Sequence, residues 1–169
     1  MAAAQGRRGR HGVSGGRLVI FPRALLDTNV LVYTVDASNP DKQRRAAEVL
    51  RLLTLEGGGV LSSQCLVEFT QVATRRLPVR LSFGNAAMLV DRFSAACSVY
   101  PVVPATVVLA CRAVTRYPLS FFDSLIWAAA RANQVPVILT EDKPGMPIIE
   151  GVRYIDPFEQ GFDPASLPD

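Results

Sequence analysis

Residues 24–27 read Ala-Leu-Leu-Asp: three apolar residues shortly after Pro22, closed by a carboxylate. So short and so apolar a run marks a strand buried on both faces, the kind found inside a parallel sheet. Working outward, Asn39-Pro40 is a cap and first-turn pair that opens a helix to about Leu55, stopped by Gly57, Gly58 and Gly59. Val60-Leu61-Ser62 reads as a second brief strand, and Ser63 as the cap of a helix from Gln64 to about Leu77. A helix follows over roughly 82–96, then a strand around 99–103 and a helix from Pro104 to about Arg116. Ser120 caps a further helix through Asn133, and residues 135–140 form a strand rich in β-branched residues. Strands alternating with helices in this way imply an α/β fold whose parallel sheet is covered on both faces.

The composition agrees. The 169 residues are 49% hydrophobic and 20% charged, which excludes a largely disordered chain and a disulfide-stapled miniprotein. A chain this long buries roughly 70% of its unfolded surface in one domain. No apolar run approaches the roughly 18 residues that cross a bilayer, so a soluble, cytoplasmic protein without membrane contact is expected. Cys65, Cys97 and Cys111 are odd in number and lack a CxxC pair; they are expected to be buried, reduced thiols in helices.

The formal charge is +3. Arg7, Arg8, Arg10, Arg17 and Arg23 fall in the first 23 residues, where no acidic residue occurs; without them 13 basic residues face 15 acidic ones, a net of −2. The basic excess is therefore a terminal feature. Residues 1–17 form an Arg/Gly-rich extension expected to be disordered, either a nucleic-acid-binding arm or a solvated tail. The domain proper is assigned to 18–160 and a C-terminal tail to 161–169.

In an open parallel sheet, ligands bind beyond the carboxyl ends of the strands. Asp27 ends the first strand, and Asp142 follows the strand 137–140 by two residues. Glu68 lies on the helix face opposite Leu66, Phe69, Ala73 and Leu77, so it faces solvent or a groove. Asp123 stands three residues after Ser120, a capping-box arrangement that keeps a carboxylate ionised at a helix start. The one histidine, His11, lies in the extension, which excludes a histidine-dependent triad in the domain; no glycine-rich nucleotide loop occurs. An acid-only set suits Mg²⁺ or Mn²⁺, and four converging carboxylates would need such a cation to offset their repulsion.

Five segments in register resemble the PIN-domain ribonucleases, particularly the VapC-type toxins of bacterial toxin–antitoxin pairs. They are Ala-Leu-Leu-Asp-Thr-Asn-Val-Leu-Val-Tyr (24–33), Ser-Ser-Gln-Cys-Leu-Val-Glu-Phe (62–69), Leu-Ser-Phe-Phe-Asp-Ser-Leu-Ile-Trp-Ala-Ala-Ala (119–130), Val-Ile-Leu-Thr-Glu-Asp (137–142) and Gly-Val-Arg-Tyr-Ile-Asp-Pro-Phe (151–158). The resemblance implies a three-layer α/β/α PIN-like domain with a central parallel sheet of about five strands. It implies metal-dependent endonucleolytic cleavage of RNA, with Asp27, Glu68, Asp123 and Asp142 as catalytic, Mg²⁺- or Mn²⁺-binding residues and a 3′-hydroxyl and 5′-phosphate as products. Thr28, Asn29 and Thr140 are then donors that orient the carboxylates. Glu141 is a substitute for Asp142, ranked second to it.

The same resemblance implies an RNA substrate, a homodimer and a cognate antitoxin lying over the active-site groove. Arg75, Arg76 and Arg80 are the candidate phosphate contacts, ahead of Arg44, Arg45, Arg112 and Arg116. Trp127, Phe121 and Phe122 are assigned to the core, and residues 82–96, with Phe83, Ala86, Ala87, Val90 and Phe93, to a dimer contact or the core. The extension at 1–17 and the short stretch Lys143–Pro147 depart from the family pattern. Two other functions remain open: a PIN-like module that binds RNA or protein without cutting, and a phosphatase of the haloacid dehalogenase type, whose second Asp is replaced here by Asn29.

Overall fold

The computed structural model describes residues 12–14, 17–19, 22–164 and 167. Most of the extension 1–17 lies outside them; its described pieces, β1 (Gly12–Ser14) and β2 (Arg17–Val19), form an antiparallel pair. The domain follows as β3 (Ala24–Leu26), α1 (Thr28–Tyr33), α2 (Pro40–Leu55), β4 (Gly59–Ser62), α3 (Ser63–Arg75), α4 (Phe83–Ala96), β5 (Ser98–Tyr100), α5 (Pro104–Val114), α6 (Phe121–Ala132), β6 (Val137–Leu139), β7 (Ile148–Ile149) and β8 (Val152–Ile155). The sheet order is β5-β4-β3-β6-β8-β7. Its first five strands run parallel, and β7 adds an antiparallel edge paired with β8.

The central strands are buried as their composition requires. Ala24, Leu25 and Leu26 of β3 and Val137 and Leu139 of β6 have no exposed surface. Register aligns Leu25 with Ile138 and Ile138 with Tyr154. From β3 the chain moves outward to β4 and β5, then returns past them to β6. The right-handed rule for such crossovers places α2 to α4 on one face and α5 and α6 on the other. Between β3 and β6 the direction of winding reverses, so a crevice opens at their carboxyl ends.

Local chemistry sets the element ends. Asn39 Oδ1 accepts from Lys42 N, with Pro40 in the first turn of α2. Ser62, one residue earlier than expected, caps α3; Ser63 instead accepts from Val102 N and ties α3 to the segment after β5. The glycine run after α2 has a steric cause. Gly57 takes φ +72°, and a Cβ on Gly58 would lie 2.7 Å from the Pro22 carbonyl oxygen.

Three apolar expectations are corrected. Phe121 and Phe122 are exposed at 41% and 60%, whereas Trp127 is buried and donates to the Ile149 carbonyl. Cys111 is exposed, on the outer side of α5, and Cys97 caps the end of α4 instead of lying within it; only Cys65 is a buried helical thiol. Of the apolar series on α4, Ala86 and Phe93 are buried while Phe83 and Ala87 face outward. Leu167, in the C-terminal tail, is buried against the core. Among the described residues no helix is long and apolar enough to cross a membrane.

Candidate active site

Asp27 directly follows β3 and is the N-cap of α1. Its backbone N–H donates to the Leu139 carbonyl, extending the β3–β6 ladder by one residue. Its Oδ1 accepts from Thr28 N at 2.5 Å, so the chain turns from strand into helix on the carboxylate itself. Its Oδ2 accepts from Thr140 Oγ1 at 2.7 Å and Asn29 Nδ2 at 3.2 Å.

Thr140, 2% exposed, is the hub of this corner. While donating to Asp27, its hydroxyl accepts from Asn29 Nδ2 at 3.0 Å and from Asp142 N at 3.1 Å. Asn29 Nδ2 also reaches Asp142 Oδ2 at 3.5 Å. The carboxylates of the two strand ends thus hang on one threonine and one asparagine, and Asn29 Oδ1 is buried with no partner.

The two helical carboxylates enter from α3 and α6. Glu68 Oε2 accepts from Thr28 Oγ1 at 3.0 Å, and its Oε1 accepts from Gln64 Nε2 at 2.8 Å. Gln64, one helical turn earlier and buried, also donates to the Phe122 carbonyl at 3.1 Å, which ties α3 to the first turn of α6. Asp123 Oδ2 accepts from Ser120 Oγ at 2.7 Å while Asp123 N donates back to that oxygen at 3.2 Å; the second bond is the N-cap, but the carboxylate takes the Ser120 hydroxyl in place of the backbone N–H that a capping box would use.

Asp27, Glu68, Asp123 and Asp142 line one cleft of about 360 Å³, together with Thr28, Asn29, Tyr33, Asp36 and the apolar Val32, Val72, Phe122 and Ile126. No Lys or Arg is among its lining residues. The electrostatic consequence falls on Asp27, whose carboxyl is pushed up from 3.8 to about 6, chiefly by burial. The bonds from Thr140 and Thr28 oppose that rise, and the Asp123 and Glu68 charges add to it. Beneath the cleft, Tyr154 is buried with an unpartnered hydroxyl whose ionisation is pushed up by burial and by the Asp123 and Asp27 charges.

Glu141 faces a different set of partners. It is ion-paired with Lys42 and accepts from Tyr33 Oη at 2.7 Å; burial opposes its ionisation, but these two partners hold its carboxyl below the ordinary value. Lys42 lies over the rings of Tyr33 and Phe158. Asp142, not Glu141, lines the cleft. Of the arginines, Arg76 lines a groove adjoining the cleft, while Arg75 and Arg80 are exposed and line neither. Arg44 and Arg45 are paired with Asp41 and Glu48 on α2.

A divalent ion suits this donor set: every ionisable group is a hard oxygen, and burial, with a smaller addition from the Asp123 and Glu68 charges, disfavours the Asp27 carboxylate in a cleft lined by no Lys or Arg. Among the described residues no three acidic, histidine or cysteine side chains close on one point as an all-protein cage. Mg²⁺ does not ask for one, since it is held by one or two carboxylates plus waters and substrate oxygens.

The family model of the PIN domain matches residues 24–144. The chain belongs to the PIN domain family. The matched range includes all four cleft carboxylates. No curated protein matches the chain. Among solved structures, this PIN domain is similar to a toxin–antitoxin complex from Klebsiella pneumoniae (TM-score 0.58, 16% identity, 81% of this chain and 99% of that one). It is also similar to DNA-bound VapBC from Salmonella typhimurium (TM-score 0.57, 20% identity, 80% and 98%). A third is VapC20 from Mycobacterium tuberculosis, a sarcin–ricin loop cleaving toxin (TM-score 0.53, 19% identity, 70% and 89%). These likenesses establish the shared PIN fold.

Sequence reasoning passed over Gln64, although its position four residues before Glu68 on one helix is a readable signal. It also missed Asp36 and the Tyr33–Lys42–Glu141 cluster, which depend on the course of the chain between α1 and α2.

Proposed function

We propose that this PIN domain is an endoribonuclease dependent on Mg²⁺ or Mn²⁺, acting as the toxin of a toxin–antitoxin pair. The observation that carries the reading is the convergence of Asp27, Glu68, Asp123 and Asp142, from four separate elements, on one cleft lined by no cation. The toxin–antitoxin complexes and the RNA-cleaving toxin to which the fold is similar support the biological role. An RNA substrate, a homodimer and an antitoxin covering the cleft belong to the same proposal.

In this reading Asp27, Glu68, Asp123 and Asp142 would supply the carboxylates for one or two ions, with waters and substrate oxygens completing each shell. When bound, the metal supplies a water acidic enough to attack phosphorus near neutral pH and a positive charge beside the scissile phosphate. The protein's contribution is placement. Thr140 and Asn29 fix Asp27, and Asn29 reaches on to Asp142. Thr28 and Gln64 fix both oxygens of Glu68. Ser120 fixes Asp123 at the start of α6, where the helix dipole favours its charge. Val32, Val72 and Ile126 give one wall of the cleft an apolar lining.

Incubating purified protein with structured RNAs in Mg²⁺ or Mn²⁺, with and without chelator and beside Asp27→Asn, tests the activity. Cleavage that stops in chelator and in the variant is the expected result. Cleavage that survives Asp27→Asn overturns the mechanism, and binding without cleavage of any RNA favours a non-catalytic module.

A further inference from the structure

Phe122 is 60% exposed although it immediately precedes Asp123 in the site. Its backbone is anchored, since its carbonyl accepts from Gln64 Nε2 at 3.1 Å, so the ring is presented to solvent from a fixed point. It borders two spaces at once: the acid cleft, and a groove of about 520 Å³ whose walls include the apolar Val67, Val72 and Leu125 and whose polar groups include Gln71 and Arg76. Cleft and groove share Glu68, Val72 and Phe122, so they adjoin along these residues.

Charge distinguishes the two neighbours. The cleft offers a polyanion no lining cation, and it carries Asp36 and Asp142 besides the other three carboxylates. Nearby Lys42 is already committed to Glu141. The groove, by contrast, carries the guanidinium of Arg76, which no described carboxylate pairs. A strand with its phosphate at the carboxylates therefore finds a cation for a neighbouring phosphate on the groove side, and an exposed aromatic face between the two. Aromatic face, apolar wall and flanking arginine are the elements that bind an unpaired nucleotide.

We infer that the groove between α3 and α6 is a nucleotide subsite: Phe122 stacks on the unpaired base next to the scissile phosphate, and Arg76 contacts the phosphate beyond it. The inference deepens the nuclease reading and rests on it for the position of the scissile phosphate. It makes the substrate locally single-stranded at that nucleotide.

The test uses 12-nucleotide single-stranded RNAs carrying one 2-aminopurine, with Ca²⁺ supplying the divalent charge in place of Mg²⁺ or Mn²⁺, and full-length wild type, Phe122→Ala, Phe122→Trp and Arg76→Gln, each checked by thermal melting. Binding quenches the 2-aminopurine in wild type and Phe122→Trp. Phe122→Ala loses the quench and weakens binding by about 5- to 150-fold, the range of base–aromatic stacking. Arg76→Gln lowers the slope of log affinity against log salt by about one. Unchanged affinity and quench in Phe122→Ala overturn the subsite, as does wild type that fails to bind. So does a Phe122→Ala chain whose only change is a lower molar mass in light scattering, which assigns the groove to a second copy. The failures are separable: Mn²⁺-dependent cleavage with an unchanged KM in Phe122→Ala refutes the subsite alone, while quenching by a protein that cuts no RNA refutes the nuclease reading alone.

Discussion

Removing the charge of Asp27 should stabilise the metal-free protein, and the gain should depend on pH. The folded chain raises this carboxyl from 3.8 to about 6, so the native state holds the proton more tightly than the unfolded chain does. For a raised carboxyl the favourable contribution is complete below about pH 4 and is lost as pH rises through about 6. Above that window, ionised Asp27 costs about 3 kcal/mol. In Asp27→Asn the amide oxygen keeps the bond from Thr28 N, but its NH₂ replaces an acceptor of Thr140 and Asn29, a loss of about 1 kcal/mol. The net gain at pH 7.5 is therefore about 1–2 kcal/mol, or roughly 2–8 °C in Tm for a chain of this size. Thermal melts in chelator across pH 4 to 8 read it directly. The difference between variant and wild type should shrink as pH falls through 6, cross zero between about pH 5.5 and 4.5, and be reversed at pH 4, where protonated Asp27 carries no charge penalty and the amide still lacks the bonds from Thr140 and Asn29. A variant less stable than wild type at pH 7.5, or a gain that ignores pH, would refute the claim that the cleft holds an uncompensated buried carboxylate.

Two further substitutions probe the scaffold. Thr140→Val conserves shape but deletes the hydroxyl that donates to Asp27 and accepts from Asn29 and Asp142 N; leaving these buried groups unpaired should cost about 1–3 kcal/mol, read as a lower urea midpoint. Glu141→Gln and Asp142→Asn separate the adjacent acids. Because Glu141 is engaged with Lys42 and Tyr33 and does not itself line the cleft, its variant should lose under about 1 kcal/mol and keep the rise in Tm on adding Mn²⁺, while Asp142→Asn should lessen that rise.

The parallel core is legible because β3, β4 and β6 are short, mostly apolar runs, and because Asn39 and Ser120 announce helices through side chains that do cap them. Helix α1 is harder to read. Its Val30, Val32 and Thr28 are β-branched residues that favour strand, and the helix forms because Asp27 caps it as the β3–β6 pairing ends. Strand β7, two residues long, offers no period to detect. Apolar spacing also does not show which face of a helix a neighbour covers, which is why Phe121, Phe122 and Cys111 stand exposed where burial is expected. Strand ends and a capping pattern pick out Asp27, Asp142 and Asp123 from the sequence, and the helical projection turns Glu68 away from the core. The bridge from Gln64 to the α6 backbone spans 58 positions in the chain and has no local sequence signal.

The central claim is that these carboxylates bind the ion on which RNA cleavage depends. Mn²⁺ titrated into metal-free protein, with bound Mn²⁺ followed by electron paramagnetic resonance and RNA cleavage followed in the same samples, tests it most directly. In wild type, occupancy and cleavage should rise together and both should vanish in chelator; in Asp27→Asn the binding should weaken and cleavage should be lost. Cleavage by chelated protein, or Mn²⁺ occupancy that saturates without any cleavage, would contradict the account.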